Sequence, residues 1–235
     1  MHTLLRANWT SLLAATFEAD RNLLKRFIPP KTELSDFNGR YFMSLVGFLF
    51  QKPSILRIPL PFYRNFPEIN LRFYVRHKSR FGWRNGVVFI REIAPSRLIG
   101  MAARLMYGEN FIALPMNYIL AKTKEDIQLK YEWKVGHVDN HMQIVCGATH
   151  HEPMVSDLAY YLREHYFAYS VDNNRCREFQ IEHEKWNVYP AKSFGMKVDT
   201  ETLYGKEFVE YFKEAPVSSF YMDGSRTKVS FPSFI

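Results

Sequence analysis

With 235 residues, 47% of them apolar and 23% charged, the chain is neither a disordered tail nor a minidomain dependent on disulfide staples. The longest nearly uncharged apolar run, Tyr41 to Phe50, is about half the length of a bilayer-spanning helix. The N-terminal Met1-His2-Thr3-Leu4-Leu5-Arg6 lacks the basic-then-apolar layout of a secretory leader, so a soluble cytoplasmic protein is expected, forming one domain over 1–235 with Cys146 and Cys176 as reduced structural thiols.

Trp9 to Phe17 reads as a buried strand. Asp20 is a candidate N-cap for a short helix, Arg21 to Phe27, stopped by Pro29-Pro30. Glu33 to Phe37 and Arg40 to Phe50 flank Asn38-Gly39, the strongest short hairpin signal. Gln51 to Phe66 holds Pro53, Pro59 and Pro61 without a clear period and reads as a loop.

The next stretch organises the chain. From Glu68, Ile69, Leu71, Phe73 and Val75 alternate strictly with Glu68, Asn70, Arg72, Tyr74 and Arg76, the signature of a strand with two unlike faces. The polar face looks either at bulk water or into an enclosed cavity of a curved sheet. The second option makes Glu68, Asn70 and Arg72 a ligand-facing set.

A turn over Phe81 to Gly86, ending in Asn85-Gly86, leads to a returning strand, Val87 to Ile93. Pro95 opens a helix, Ser96 to Tyr107, with Leu98, Met101, Ala102, Leu105 and Met106 on one side and Gly108 as its stop. Phe111 to Lys122, Ile127 to Val135 and Met142 to Thr149 are predicted strands. Ser156-Asp157 caps a helix through about Phe167. Arg177 to Tyr189 is a long strand and Ser193 to Val198 a short one. Thr200 caps a helix, Glu201 to Lys213. Val217 to Met222 and Thr227 to Phe231 close the chain as a hairpin around Asp223-Gly224.

About ten strands and four short helices, mostly joined by turns, predict an α+β fold with a largely antiparallel sheet. A sheet of that many strands curls, and a cone-like or partly closed barrel with an internal cavity is a common outcome.

Several stretches carry a resemblance. They are Ile28-Pro29-Pro30 with Thr32-Glu33-Leu34, Ser44-Leu45-Val46-Gly47-Phe48, Asn65 to Arg72, Tyr107-Gly108-Glu109-Asn110, and Ala113-Leu114-Pro115-Met116. Together they resemble the YqjF-like family of uncharacterised bacterial proteins, which is similar to the acetoacetate decarboxylase-like superfamily. The resemblance implies a curved antiparallel double sheet around a cavity. It also implies a cavity glutamate at Glu68, with Arg6 and Arg72 as candidates for a cavity arginine. Acetoacetate decarboxylases form a Schiff base through a lysine after a Gly-Arg-Glu…Pro motif, with a second lysine beside it. Here Met116 and Asn117 follow Pro115, and neither forms an imine. Lys122 lies six residues beyond Met116, roughly 20 Å along a strand.

The expected site is therefore Glu68 as acid/base or acceptor, with Arg72, Asn70, Glu109, Met116 and Asn117 as ligand contacts. For Arg72 and Glu109 a surface charge and a plain turn residue are the competing readings. The expected ligand is a small carboxylate, ketone or other hydrophobic metabolite, without a cofactor. A lyase-like reaction through Glu68 is the catalytic alternative. His150-His151-Glu152 does not suit a metal site, because adjacent strand residues point to opposite faces. The formal charge of +7 permits contact with nucleic acid or an anionic membrane, but Lys and Arg are spread along the chain. The densest run, Arg72 to Arg84, defines a second hypothesis, a basic module for an anionic macromolecule, against the simpler reading of a solvated loop. Nucleic-acid and membrane partners are not expected, and a homo-oligomer is compatible with the sequence.

Overall fold

The computed structural model describes residues 2–60, 64–108 and 110–235. In chain order its elements are β1 (Thr3–Glu18), α1 (Arg21–Lys25), β2 (Thr32–Leu34), β3 (Phe42–Ile55), β4 (Ile58–Pro59), β5 (Asn65–Ser79), β6 (Gly82–Ala94) and α2 (Arg97–Tyr107). Then follow β7 (Phe111–Ala113), β8 (Met116–Lys122), β9 (Asp126–Val135), β10 (Val138–Gly147), α3 (Leu158–Arg163), β11 (Phe167–Asp172), β12 (Arg175–His183) and β13 (Val188–Lys197). A cluster of short helices, α4 (Thr200–Tyr204), a 3-10 turn and α5 (Val209–Lys213), precedes β14 (Ser218–Ser230) and β15 (Ser233–Phe234).

Pairing runs β12-β11-β6-β5-β3-β1-β14, and a short β12–β14 contact from Ile181↔Val229 to His183↔Thr227 joins the two ends. The ring is antiparallel except at β6–β11, which is parallel and spans only Phe167↔Gly86 and Ala168↔Val87. A second run, β13-β10-β9-β8, leaves β14 as an antiparallel extension. The result is a curved double sheet that forms a partly closed barrel, as expected from the strand count. No helix among the described residues is long and apolar enough to cross a membrane.

β5 lies between β3 and β6, and both of its faces are covered. Ile69, Leu71, Phe73 and Val75 are all 0% exposed and join the core shared with Leu129, Tyr131 and Trp133 of β9. The extension therefore packs on the outer face of the β1–β3–β5 wall. The Tyr131 hydroxyl ties the layers by donating to the Ser11 carbonyl at 2.6 Å, inside a bulged part of β1 where Ser11 has φ 54. The other face of β5 looks inward, into a second core built on Leu12, Phe48, Phe66, Tyr74 and Phe179.

Several local expectations are corrected. Asn38 and Gly39 do make a tight turn with positive φ, closed by a Phe37↔Arg40 bridge. It does not join a hairpin, because β2 pairs with β5 and not with β3. The supposed loop from Gln51 is strand as far as Ile55. The β5–β6 turn is Arg80-Phe81, and Asn85-Gly86 sits inside β6. A Cβ at Gly86 would lie 2.5 Å from the Tyr169 ring and 2.6 Å from the Phe167 carbonyl oxygen, so glycine here permits the close approach of β11.

Helix α2 starts at the Ser96 cap and ends at left-handed Gly108, as predicted. Its apolar side is only partly the predicted one: Leu98 and Met101 are exposed, Met106 lines the pocket together with the unpredicted Ile99, and the side chains of Ala102 and Leu105 lie outside those described. Leu114-Pro115 divides the predicted Phe111–Lys122 strand into β7 and β8, since Pro115 offers no N–H to a ladder. Residues 184–187 likewise separate β12 from β13, and Phe167 opens a strand instead of ending a helix. The helix predicted from Glu201 is broken at Gly205, and Asp199, not Thr200, caps it. The predicted terminal hairpin is the single strand β14, paired with β1 almost throughout.

Candidate functional site

The inward face of β5 carries Glu68, Asn70 and Arg72 at successive i+2 positions, each step about 7 Å along the strand. All three line a pocket of about 120 Å³ inside the ring of strands. β1 contributes Trp9 and Leu12, β3 contributes Phe48 and Phe50, and α2 contributes Ile99 and Met106. Glu68 is 6% exposed and Asn70 2%, so this part of the strand's polar side is buried like a core.

A fourth polar group was not foreseen. Glu92 of β6 lies opposite Asn70 in the ladder and is 4% exposed. Directly opposed residues share a face, with Cβ atoms about 5 Å apart, so Glu92 joins the polar wall. A carboxylate within the apolar run Val87 to Ile93 was a visible signal. Placing the turn at Asn85-Gly86 hid it, because the register that sets Glu92 against Asn70 follows from a turn at Arg80-Phe81.

Trp9 Nε1, Asn70 Oδ1 and Arg72 Nε, buried on the lining, have no hydrogen-bond partner among the described residues. Each such atom costs about 1–3 kcal/mol of lost hydration if nothing answers it. Two are donors, and with Glu68 and Glu92 nearby the wall offers both donors and acceptors to a guest. The walls facing it are largely aromatic; the Trp9 ring stands 5.1 Å from Phe48 and 5.5 Å from Phe50.

Beyond Arg72 the polar strip continues into a closed network. The Arg72 guanidinium sits 6.0 Å from the Tyr74 ring centroid. The Tyr74 and Ser44 hydroxyls are hydrogen-bonded at 2.6 Å, and Ser44 and Thr16 at 2.8 Å. His165 packs on Tyr74 at 4.7 Å. Burial, reinforced by the Arg72 charge, pushes its pKa from 6.5 down to about 3. Between those values the unfolded chain binds one more proton than the folded one. Stability is therefore lost as pH falls from about 6.5 towards 3, by up to about 1.4 kcal/mol per unit. His165→Phe should flatten this limb, lowering the loss between pH 7 and pH 5 by about 2 kcal/mol in urea titrations.

The remaining predicted residues lie elsewhere. Met116 is half-buried against the outer core and Asn117 is exposed, both on β8 and neither among the pocket-lining residues. Glu109 lies outside the described residues. Its neighbour Asn110 ties the turn after α2 to β6, donating from Nδ2 to the Ile90 carbonyl and accepting the Glu92 N–H, both at 3.0 Å. Arg6 does not line the pocket. The Lys122 ammonium sits 5.3 Å from the Tyr221 ring centroid, and no lysine occurs among the described lining residues. His151 bridges Val188 through its backbone. Among the described residues no three His, Cys, Asp or Glu side chains gather as a metal site.

The fold is similar to that of solved acetoacetate decarboxylase-like proteins. Acetoacetate decarboxylase from Legionella pneumophila matches 100% of this chain and 88% of its own, with a TM-score of 0.68 at 13% identity. An acetoacetate decarboxylase-like enzyme from Sphingomonas wittichii RW1 matches 100% and 94%, with a TM-score of 0.68 at 10% identity. The enduracididine biosynthesis enzyme MppR, solved in complex with pyruvate, matches 100% and 91%, with a TM-score of 0.67 at 10% identity. At these identities the likeness defines the fold.

The chain belongs to the DUF2071 family of uncharacterized conserved proteins, whose model matches residues 6–226. It is also 27% identical over 198 residues to the uncharacterized protein YqjF of Bacillus subtilis (strain 168), covering 81% of this chain and 77% of that protein.

Proposed function

We propose that this protein, acting as one domain in the cytoplasm, binds a small, largely apolar carboxylate or ketone in the pocket beside β5. The observation that carries the reading is that Trp9 Nε1, Asn70 Oδ1 and Arg72 Nε, buried on one lining, have no hydrogen-bond partner among the described residues. A carbonyl or carboxylate oxygen between the two donors relieves both, and a charge-assisted bond from Arg72 adds strength. The aromatic walls hold the rest of the guest. A dry cavity of roughly 150 Å³ admits benzene, so a pocket of about 120 Å³ suits a guest of about six non-hydrogen atoms. Pyruvate, the molecule complexed with MppR, is a guest of that class.

Calorimetric titration with acetoacetate, pyruvate and cyclohexanone tests this. At least one should bind saturably, and Arg72→Met should weaken the carboxylates about tenfold or more. Failure of all three would remove the reading.

A second reading adds chemistry. Glu68 and Glu92 on one dry wall are placed to move a proton at the carbon beside a bound carbonyl. The described pocket lining offers no lysine to an imine, so borohydride with acetoacetate should leave no adduct in it. Deuterium exchange into a bound ketone, abolished by Glu68→Gln, is the expected signature. An adduct on a pocket residue would overturn the non-covalent account.

A further inference from the structure

The pocket makes no use of the far end of β5 and β6. Lys78 lies opposite Trp83, and Arg76 opposite Asn85, so these four share one face next to the Arg80-Phe81 turn. Phe81 is 78% exposed and Trp83 49%. The Arg80 guanidinium stands 4.6 Å from the Phe81 ring centroid, the Arg76 guanidinium 4.5 Å from that of Trp83, and the Lys78 ammonium 5.9 Å from the latter. Arg76 is paired with Glu33 at 2.7 Å and Arg84 with Glu178. Lys78 and Arg80 enter none of the ion pairs among the described residues.

We propose that this hairpin tip docks the protein reversibly on an anionic phospholipid surface. Phe81 and Trp83 enter the headgroup layer, and Lys78 and Arg80 meet lipid phosphates. Aromatic rings with cations beside them match the bilayer interface, where the ring sits at headgroup level and the cation among the phosphates. Two rings and two unpaired cations give weak, salt-sensitive attachment, not permanent anchoring. The geometry disfavours the other occupants. A second copy meeting tip to tip would oppose like charges. A nucleic-acid strand needs open ring faces and a groove of cations along its backbone. Here cations already stand by both rings, and Glu33 and Glu178 neutralise the basic residues behind the tip. The basic run is thus divided: Arg72 serves the pocket and the tip serves a surface. Because pocket and tip share no residues, each reading stands or fails alone.

The test uses the purified protein with vesicles of phosphatidylcholine alone and of equal parts phosphatidylcholine and phosphatidylserine. Co-sedimentation should occur with the mixed vesicles and fade as salt rises. Trp133 and Trp186 are buried, so a blue shift of tryptophan emission, quenched by brominated lipid, reports chiefly on Trp83. Trp83→Ser should abolish the quenching. Lys78→Glu with Arg80→Glu should weaken vesicle binding about thirtyfold. All three positions are exposed, so the variants should keep the fold. Binding that is absent at low salt, equal on both vesicles or unchanged in both variants would overturn the proposal. So would retention on single-stranded DNA, or a dimer lost in Phe81→Ser, in place of vesicle binding.

Discussion

Gly224→Ala should destabilise the protein by about 3 kcal/mol or more, enough to lower the denaturation midpoint sharply. Gly224 has φ +85, and a Cβ built there would lie 2.0 Å from the Trp9 carbonyl oxygen and 2.7 Å from Thr10 Cα. Both obstacles are backbone, so no side chain can swing aside. β14 would have to lift from β1 midway along its length, where Thr10 faces Gly224. The strain of a left-handed alanine adds to the clash. Urea unfolding measures the effect directly. A Gly224→Ala protein as stable as the parent would mean that residues 223 and 224 form an open turn, as the Asp-Gly pair suggests in isolation, and that β14 is not continuous.

Asn70→Leu should separate stability from function. Asn70 is 2% exposed with an unanswered Oδ1, so a leucine of similar size relieves a buried polar atom. The variant should unfold at a higher temperature, gaining about 1 kcal/mol, while affinity for a hydroxy acid, whose O–H the Oδ1 would accept, falls at least tenfold. Arg72→Met should behave alike, with the larger loss of affinity for carboxylates. A purely structural role for the strip predicts the reverse: lower stability in both variants and no change in binding.

The strand itself was legible from sequence because its alternation is strict. Ile69, Leu71, Phe73 and Val75 form one face, as their spacing required, and all are fully buried. The helix at Ser96 to Gly108 was equally legible, since its cap and its left-handed stop are local chemistry. What escaped depends on partners distant in sequence. Asn38-Gly39 turns the chain, but β2 finds its partner at His77 to Val75, beyond the reach of a turn rule. Asp223-Gly224 resembles a hairpin turn until β1 is known to run beneath it. Glu92 entered the wall through register, which one sequence does not display. Placing Met116 and Asn117 in the cavity relied on resemblance, and the structure sets both on β8, outside the pocket lining. The two cysteines are buried and unpaired, with burial raising Cys146 to about 11, which fits the inert thiols expected.

On the reading proposed above, the charged side of β5 borders a space meant for another molecule. An experimental electron-density map of the protein soaked with the tightest of the three test compounds addresses it most directly. Density for the compound is expected within hydrogen-bond reach of Arg72 Nε and Trp9 Nε1, its carbon skeleton against Phe48 and Phe50. A map with these atoms answered by neighbouring side chains in a filled interior, or with Glu68 turned out to solvent, would contradict it.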